Sequence, residues 1–204
     1  TGNPATRGAR QAAILLALRH YLAAVPCDEM FLSVRHPIRD VRPFIAAGWL
    51  VRPDYTFLVD LTNLAETWHH IDQNQRRLIH RAEERGLVCS EDDDYDSFFR
   101  LHLAVHQRKK SPLYLPEAAY KQFLTRLQEQ NLCRLYHARL PNGQAVAGQL
   151  VLTGPHSVSH TVCAGSAAEY LATGATPFLR WKAFECLAGL GYRANDLTGA
   201  PYPH

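Results

Sequence analysis

Near the end of the chain stand four residues able to hold or pass a proton: His160 in SHTVCAG, Glu169 and Tyr170 in the following SAAEY, and Asp196 in RANDLTGA. Histidine suits that work near neutral pH. Polar residues at strand ends are also commonly structural, and both readings stay open. A second group is the turn Gly174-Ala175-Thr176, which leads into a helix at Pro177. Its small residues let backbone N–H groups approach a pyrophosphate, and a helix N-terminus favours negative charge. A plain strand-to-helix turn would look the same. The third group is a basic stretch with Arg76, Arg77, Arg81 and Arg85. Arg77 and Arg81 are four apart, so on a helix they share a face and could clamp a phosphate or carboxylate. A solvated helix face fits these arginines equally well.

Other signals carry less. His102 and His106 have a metal-compatible helical spacing, but no motif supplies a third ligand, so no metal is expected. Trp68 and Trp181 sit at helical spacing among apolar neighbours and suit a core better than a stacking platform. The five cysteines are odd in number, widely spaced and without a C-x-x-C pair, which excludes a disulfide framework or zinc-finger pattern. Each reads as a small buried hydrophobe.

The elements that must position these groups follow from periodicity. ARQAAILLALRHYLAAV predicts a helix over about 7–25, stopped by Pro26. MFLSV (30–34) reads as a short strand, and IRDVRPFIAAGW as a short helix closed by Gly48. Tyr55–Asp60 alternates like a strand. NLAETWHHIDQNQRRLIHRAEERG predicts one long amphipathic helix or two shorter ones, with Asn63 as N-cap and Gly86 as stop. Leu87–Ser90 is a strand, and 95–108 and 116–130 are helices. Three antiparallel strands follow, the first two joined by Pro141-Asn142-Gly143. A helix from Pro177 to Gly191 and a final strand close the chain.

The chain has 204 residues, 47% hydrophobic and 20% charged, with a net charge of +3. It can bury a compact core, and its basic excess is too small for a nucleic-acid-binding signature. No apolar run approaches the ~20 residues of a membrane span, and no signal-peptide order opens the chain, so a cytoplasmic location is expected.

The stretch YTFLVDL through RRLIHRAEERG resembles the FemABX-like branch of the GNAT acyltransferase superfamily, at Asp60, Leu61, Arg76, Ile79, Ala82 and Gly86. GATPFLRWKAFECLAGLGYRANDLTG is similar to a second family motif, at Gly174, Leu179, Trp181, Gly191, Asp196 and Gly199. Asn195 and His80 depart from the usual residues at their positions. The resemblance implies an α/β (α+β) fold, with a mixed, largely antiparallel central sheet flanked by helices. It implies tandem units cut at both ends: 1–61 as the C-terminal half of a first unit, 62–86 as a linking basic helix, and 87–204 as the first two thirds of a second. The front half could lend strands that the second unit lacks.

By the same resemblance the activity is transfer of an acyl or aminoacyl group to the amine of a small molecule or peptide. The donor is acyl-CoA, with aminoacyl-tRNA allowed but not favoured, and no cofactor is permanently bound. His160, Glu169, Tyr170 and Asp196 become candidates for catalysis, Gly174, Ala175 and Thr176 for the CoA phosphates, and Arg76, Arg77, Arg81 and Trp181 for substrate. The alternative is a non-catalytic GNAT-like module that binds a peptide along a sheet edge or forms a homodimer. A cysteine or metal hydrolase is a weaker third reading.

Overall fold

The computed structural model describes residues 3–33, 38, 40–113 and 115–199. Residue contacts divide the chain into two units, 1–54 and 55–204. The first unit holds helix α1 (Pro4–Ala23), capped by the Asn3 side chain, and the short α2 (Arg42–Ile45). Phe44 is buried and meets Trp49 edge-on at 5.2 Å. Residues 30–33 of the expected strand MFLSV form none, and Val34 lies outside the described residues. A strand needs a neighbour to take its backbone N–H and C=O groups, and Phe31 is 87% exposed.

The second unit is built on a six-stranded sheet in the order β1-β6-β5-β4-β3-β2, antiparallel except for the β5–β6 pair. Its strands are β1 (Leu58–Asp60), β2 (Val88–Glu91), β3 (Cys133–Arg139), β4 (Ala145–Leu152), β5 (Val158–Ser166) and β6 (Ala194–Asp196). The β3–β4 hairpin turns at Gly143, whose φ of 86° is costly for any residue with a Cβ. Strand β4 is AVAGQLVL and almost wholly buried, as a central strand covered on both faces should be. Tyr55 and Phe57, expected in a strand from 55, are exposed, and only the last three residues of that stretch pair with β6.

Helices cover both faces. One carries α5 (Tyr95–Lys109) and α6 (Glu117–Glu129), whose Phe98, Phe99, Tyr120 and Leu124 pack on Leu135 and Leu150. The acidic run before α5 supplies its cap: the Asp94 side chain accepts from Ser97 N–H at 3.0 Å. The other face carries α3 (Leu64–His70), α4 (Gln73–Glu84) and α7 (Ala175–Gly189). The basic stretch is thus two helices, because Asp72 stops the first and caps the second by accepting from the N–H of Asn74. Phe178, Leu179 and Leu187 of α7 are fully buried against Ile79, Val146 and Val151, each worth roughly 1.5–3 kcal/mol of apolar burial.

Strand β1, which the sequence resemblance groups with the front segment, therefore extends the sheet of the second unit at β6. No described helix is long and apolar enough to cross a membrane.

Candidate active site

Strands β5 and β6 form the single parallel seam of the sheet, and it is short. Val158, Ser159 and His160 pair with Ala194, Asn195 and Asp196. Beyond that point β5 runs on to Ser166, and among the described residues no strand continues the pairing on that side. The sheet opens where His160 and Asp196 stand side by side. Asp196 is 4% exposed, and its Oδ1 accepts from the Thr56 hydroxyl at 2.6 Å and from Thr198 N–H at 2.7 Å. Its Oδ2 lies 3.4 Å from His160 Nδ1, an ion-pair distance without the alignment of a short hydrogen bond. Such contacts in an unliganded site commonly tighten when substrate binds.

Alternation along the strands puts Ser159, Thr161 and Asn195 on the opposite face, where they form a buried polar chain with Gln149. Gln149 donates to Thr161 Oγ1 (3.3 Å), Thr161 donates to Asn195 Oδ1 (3.0 Å), and Asn195 donates to Ser159 Oγ (2.9 Å). Asn195, where the sequence departs from the family pattern, thus ties the two parallel strands together behind the His160–Asp196 pair.

A cleft of about 600 Å³ lies on the α7 face of the sheet, lined mainly by β1, α3, α4 and α7. Its apolar wall is Phe57, Val59, Ile71, Trp181, Phe184 and Leu197, and its polar groups come from Asp60, Thr67, His70, Gln75, Thr176 and Arg180. Leu197 follows Asp196 in the chain and packs with Val59 on the α7 core, on the opposite face from the His160–Asp196 pair. Trp181 is 8% exposed and packs on Trp68 with ring centroids 4.7 Å apart. It is at once a core residue and part of the cleft wall.

The helix α7 is set by Gly174. With φ at 85°, this glycine lies so close to α4 that a Cβ would stand 2.2 Å from the Leu78 carbonyl oxygen. Ala175 is fully buried behind it, so of the turn Gly174-Ala175-Thr176 only Thr176 reaches the cleft. Lys182, two residues past Arg180, bridges Glu83 of α4 and Glu185, both at 3.0 Å.

The remaining sequence candidates fall elsewhere. Glu169 is exposed on the 3-10 turn Ala168–Thr173, and Tyr170 packs its ring against the α7 core. Arg76 is half-buried, whereas Arg77 and Arg81 are exposed; none of the three lines the cleft, which α4 meets with Gln75 and Ile79. His102 is buried between the rings of Phe98 and Tyr120, and burial lowers its pKa to about 4. The expectation that all five cysteines are buried is corrected, since Cys27 and Cys186 are exposed. Cys186 stands on the outer face of α7, where its apolar sequence neighbours point inward.

The acetyltransferase (GNAT) domain family model matches residues 68–204, about two thirds of the chain. The chain belongs to the GNAT acetyltransferase family. Among solved structures, FemX matches this GNAT chain with a TM-score of 0.66 at 13% identity, over 80% of this chain and 60% of FemX. L-PGS from Bacillus licheniformis matches with a TM-score of 0.59 at 14% identity, over 81% of this chain and 52% of its own. No curated protein sequence matches the chain. The chain spans little more than half the length of these two structures, and at such identities they show a shared fold: a FemABX-like GNAT sheet, mostly antiparallel and flanked by helices.

Two features of this GNAT site were not read from the sequence. In the sequence Thr56 alternates like any strand residue, and only the β1–β6 pairing reveals it as a donor to Asp196. Arg180 passed unremarked. Its signal was a lone cation inside the apolar PFLRW, four residues after Thr176 and so on the same helix face.

Proposed function

We propose that this chain transfers an acyl or aminoacyl group from an activated donor, acyl-CoA foremost, to the amine of a small molecule or peptide. The single observation that carries the reading is the His160–Asp196 pair at the end of the parallel seam. An ammonium must lose a proton before it can attack a carbonyl. His160 Nδ1 faces the buried carboxylate, which leaves Nε2 as the nitrogen to accept that proton, and Asp196 stabilises the imidazolium that forms. The amine nitrogen then bonds to the carbonyl carbon, the carbon–sulfur bond of the thioester breaks, the thiolate takes the proton back from His160, and the nitrogen releases its second proton to water to leave a neutral amide. Backbone N–H groups of β5 past His160 are suited to the oxyanion. An aminoacyl ester would follow the same course with oxygen as leaving atom; the net charge of +3 favours the CoA donor over tRNA. Thr176 at the start of α7 is the member of its turn best placed to meet the donor or acceptor. The reading places the chain in the cytoplasm, and the strand β1 supports tandem units in which the front segment lends a strand to the second.

Titration calorimetry with acetyl-CoA and longer acyl-CoAs tests the donor: saturable binding is expected, and none at millimolar concentration overturns the CoA version. His160→Gln is expected to lower kcat by about 100-fold or more with KM little changed. An unchanged kcat removes His160 from the chemistry.

A second reading rests on the outer edge of the sheet. β1 is an edge strand, and its first residue Leu58 and the preceding Phe57 are 55% and 62% exposed, a surface suited to pairing with a peptide or a second copy. Light scattering across concentration decides it: a dimer that forms without any acyl-CoA effect favours a binding module.

A further inference from the structure

We propose that Arg180 is the anion anchor of a ligand site in the α7 cleft, and that the site takes a monocarboxylate joined to an apolar body. Arg180 lines the cleft, its Nε is buried, and its guanidinium has no hydrogen-bond or ion-pair partner among the described residues. Burial alone acts on it, pulling its pKa below the usual arginine value. A cation partly withdrawn from water and left unpaired is costly, and an evolved site retains one where a ligand brings the opposite charge. The contrast with Lys182 is direct. That neighbouring cation on the same helix is held by two carboxylates, whereas none among the described residues pairs with Arg180.

The rest of the cleft specifies the remainder of the ligand. Trp181, Phe184, Ile71, Val59 and Leu197 offer an apolar wall, and about 600 Å³ is room for a body larger than an acetyl group. Thr176 lies one turn before Arg180 on the same face and adds a hydroxyl, and the first turn of α7 adds its positive dipole end. Charge selects a carboxylate over a phosphate. Arg180 is the single permanent cation in the lining, and Asp60 at the rim is held ionised by the N–H and hydroxyl of Thr62. A dianion would be half-neutralised and would face Asp60, while one carboxylate matches one guanidinium in a two-pronged contact. The inference concerns the occupant of the cleft and stands or falls apart from the transfer reaction at His160.

Calorimetry with phenylbutyrate, phenylbutanol and phenylbutyl phosphate on the unaltered chain reads the preference. The carboxylate is expected to bind at one site and about tenfold or more tighter than the alcohol, as a charged hydrogen bond would give. Equal binding of acid and alcohol, tighter binding of the phosphate, or no binding of any overturns the proposal. Arg180→Met keeps the apolar stem, and it should lose the preference for acid over alcohol while melting at the same temperature or higher. An unchanged preference, or melting well below the unaltered chain, shows instead that Arg180 serves the fold. If that variant does not fold, the three ligands on the unaltered chain decide by themselves.

Discussion

Arg139 and Arg180 are both withdrawn from water, on opposite faces of one sheet, and they are treated differently. On the α5 face, Arg139 reaches Asp92 and Asp94 at 2.9 Å each and donates through Nε to the Ser90 hydroxyl at 3.0 Å. His137, wholly buried, is 2.8 Å from Asp92 through Nδ1. Burial lowers the pKa of His137 although Asp92 opposes it, so a neutral ring donates its Nδ1 proton to the carboxylate. The chain supplies every countercharge there, and Asp94 also caps α5, so the cluster belongs to the fold. On the α7 face, Arg180 borders an open cleft and has no countercharge among the described residues. A paired charge marks structure, and an unpaired one beside a cavity marks a vacancy for a ligand.

The largest blow to the cleft side is Gly174→Ala. The new methyl would stand 2.2 Å from the Leu78 carbonyl oxygen, at a φ of 85°. Backbone strain and overpacking together should cost about 4 kcal/mol, read as a fall in the urea midpoint. A loss under about 1 kcal/mol means that α7 does not depend on its close approach to α4.

Next in size is Arg139→Met on the paired side. Two carboxylates lose their partner in a cluster that is only partly exposed, and a loss of about 2 kcal/mol at neutral pH is expected. The pH dependence sharpens it. Burial pushes the Asp94 carboxyl up, but Arg139 and Ser97 outweigh that and hold it at about 2, and Asp92 is lowered likewise by Ser90 and Arg139 against burial. Carboxylates with folded pKa values below the unfolded ones stabilise above about pH 4, and that contribution is lost as pH falls towards 2. The variant should therefore differ from the unaltered chain at pH 7 and converge on it near pH 2. Equal stability at pH 7 would remove the contrast with Arg180.

The sequence made the order of elements legible because each has a local cause: the Asn142-Gly143 turn, the caps at Asn63 and Asp94, the continuous apolar run of β4. It misjudged MFLSV, where β-branched and aromatic residues read as a strand but depend on a partner that local pattern does not reveal. At the site, His160 and Asp196 were legible as strand-end polar residues, and their pairing follows from the parallel register alone. Thr56 and Arg180 were not legible. The worth of Thr56 comes from β1 adding to β6, and that of Arg180 from the absence of a countercharge, which only three-dimensional neighbours establish. Local pattern shows dense charge and helical spacing, which favour Arg77 and Arg81, and family resemblance adds Arg76.

The smallest effect tests that bias. Arg77 and Arg81 are exposed on the α4 face turned away from Gln75 and Ile79, the residues with which α4 meets the cleft. Water already solvates their guanidinium groups, so removing them exposes no unpaired partner and empties no core volume. Arg77→Ala with Arg81→Ala should shift stability by less than about 0.5 kcal/mol. The doubly substituted chain should also bind phenylbutyrate as the unaltered chain does. A tenfold loss of phenylbutyrate binding would place the anion near the basic helix instead of at Arg180, and would return the site to the face where charge is most abundant in the sequence. An unchanged affinity shows that one half-buried arginine outweighs two solvated ones, as the reduced competition from water around its guanidinium requires.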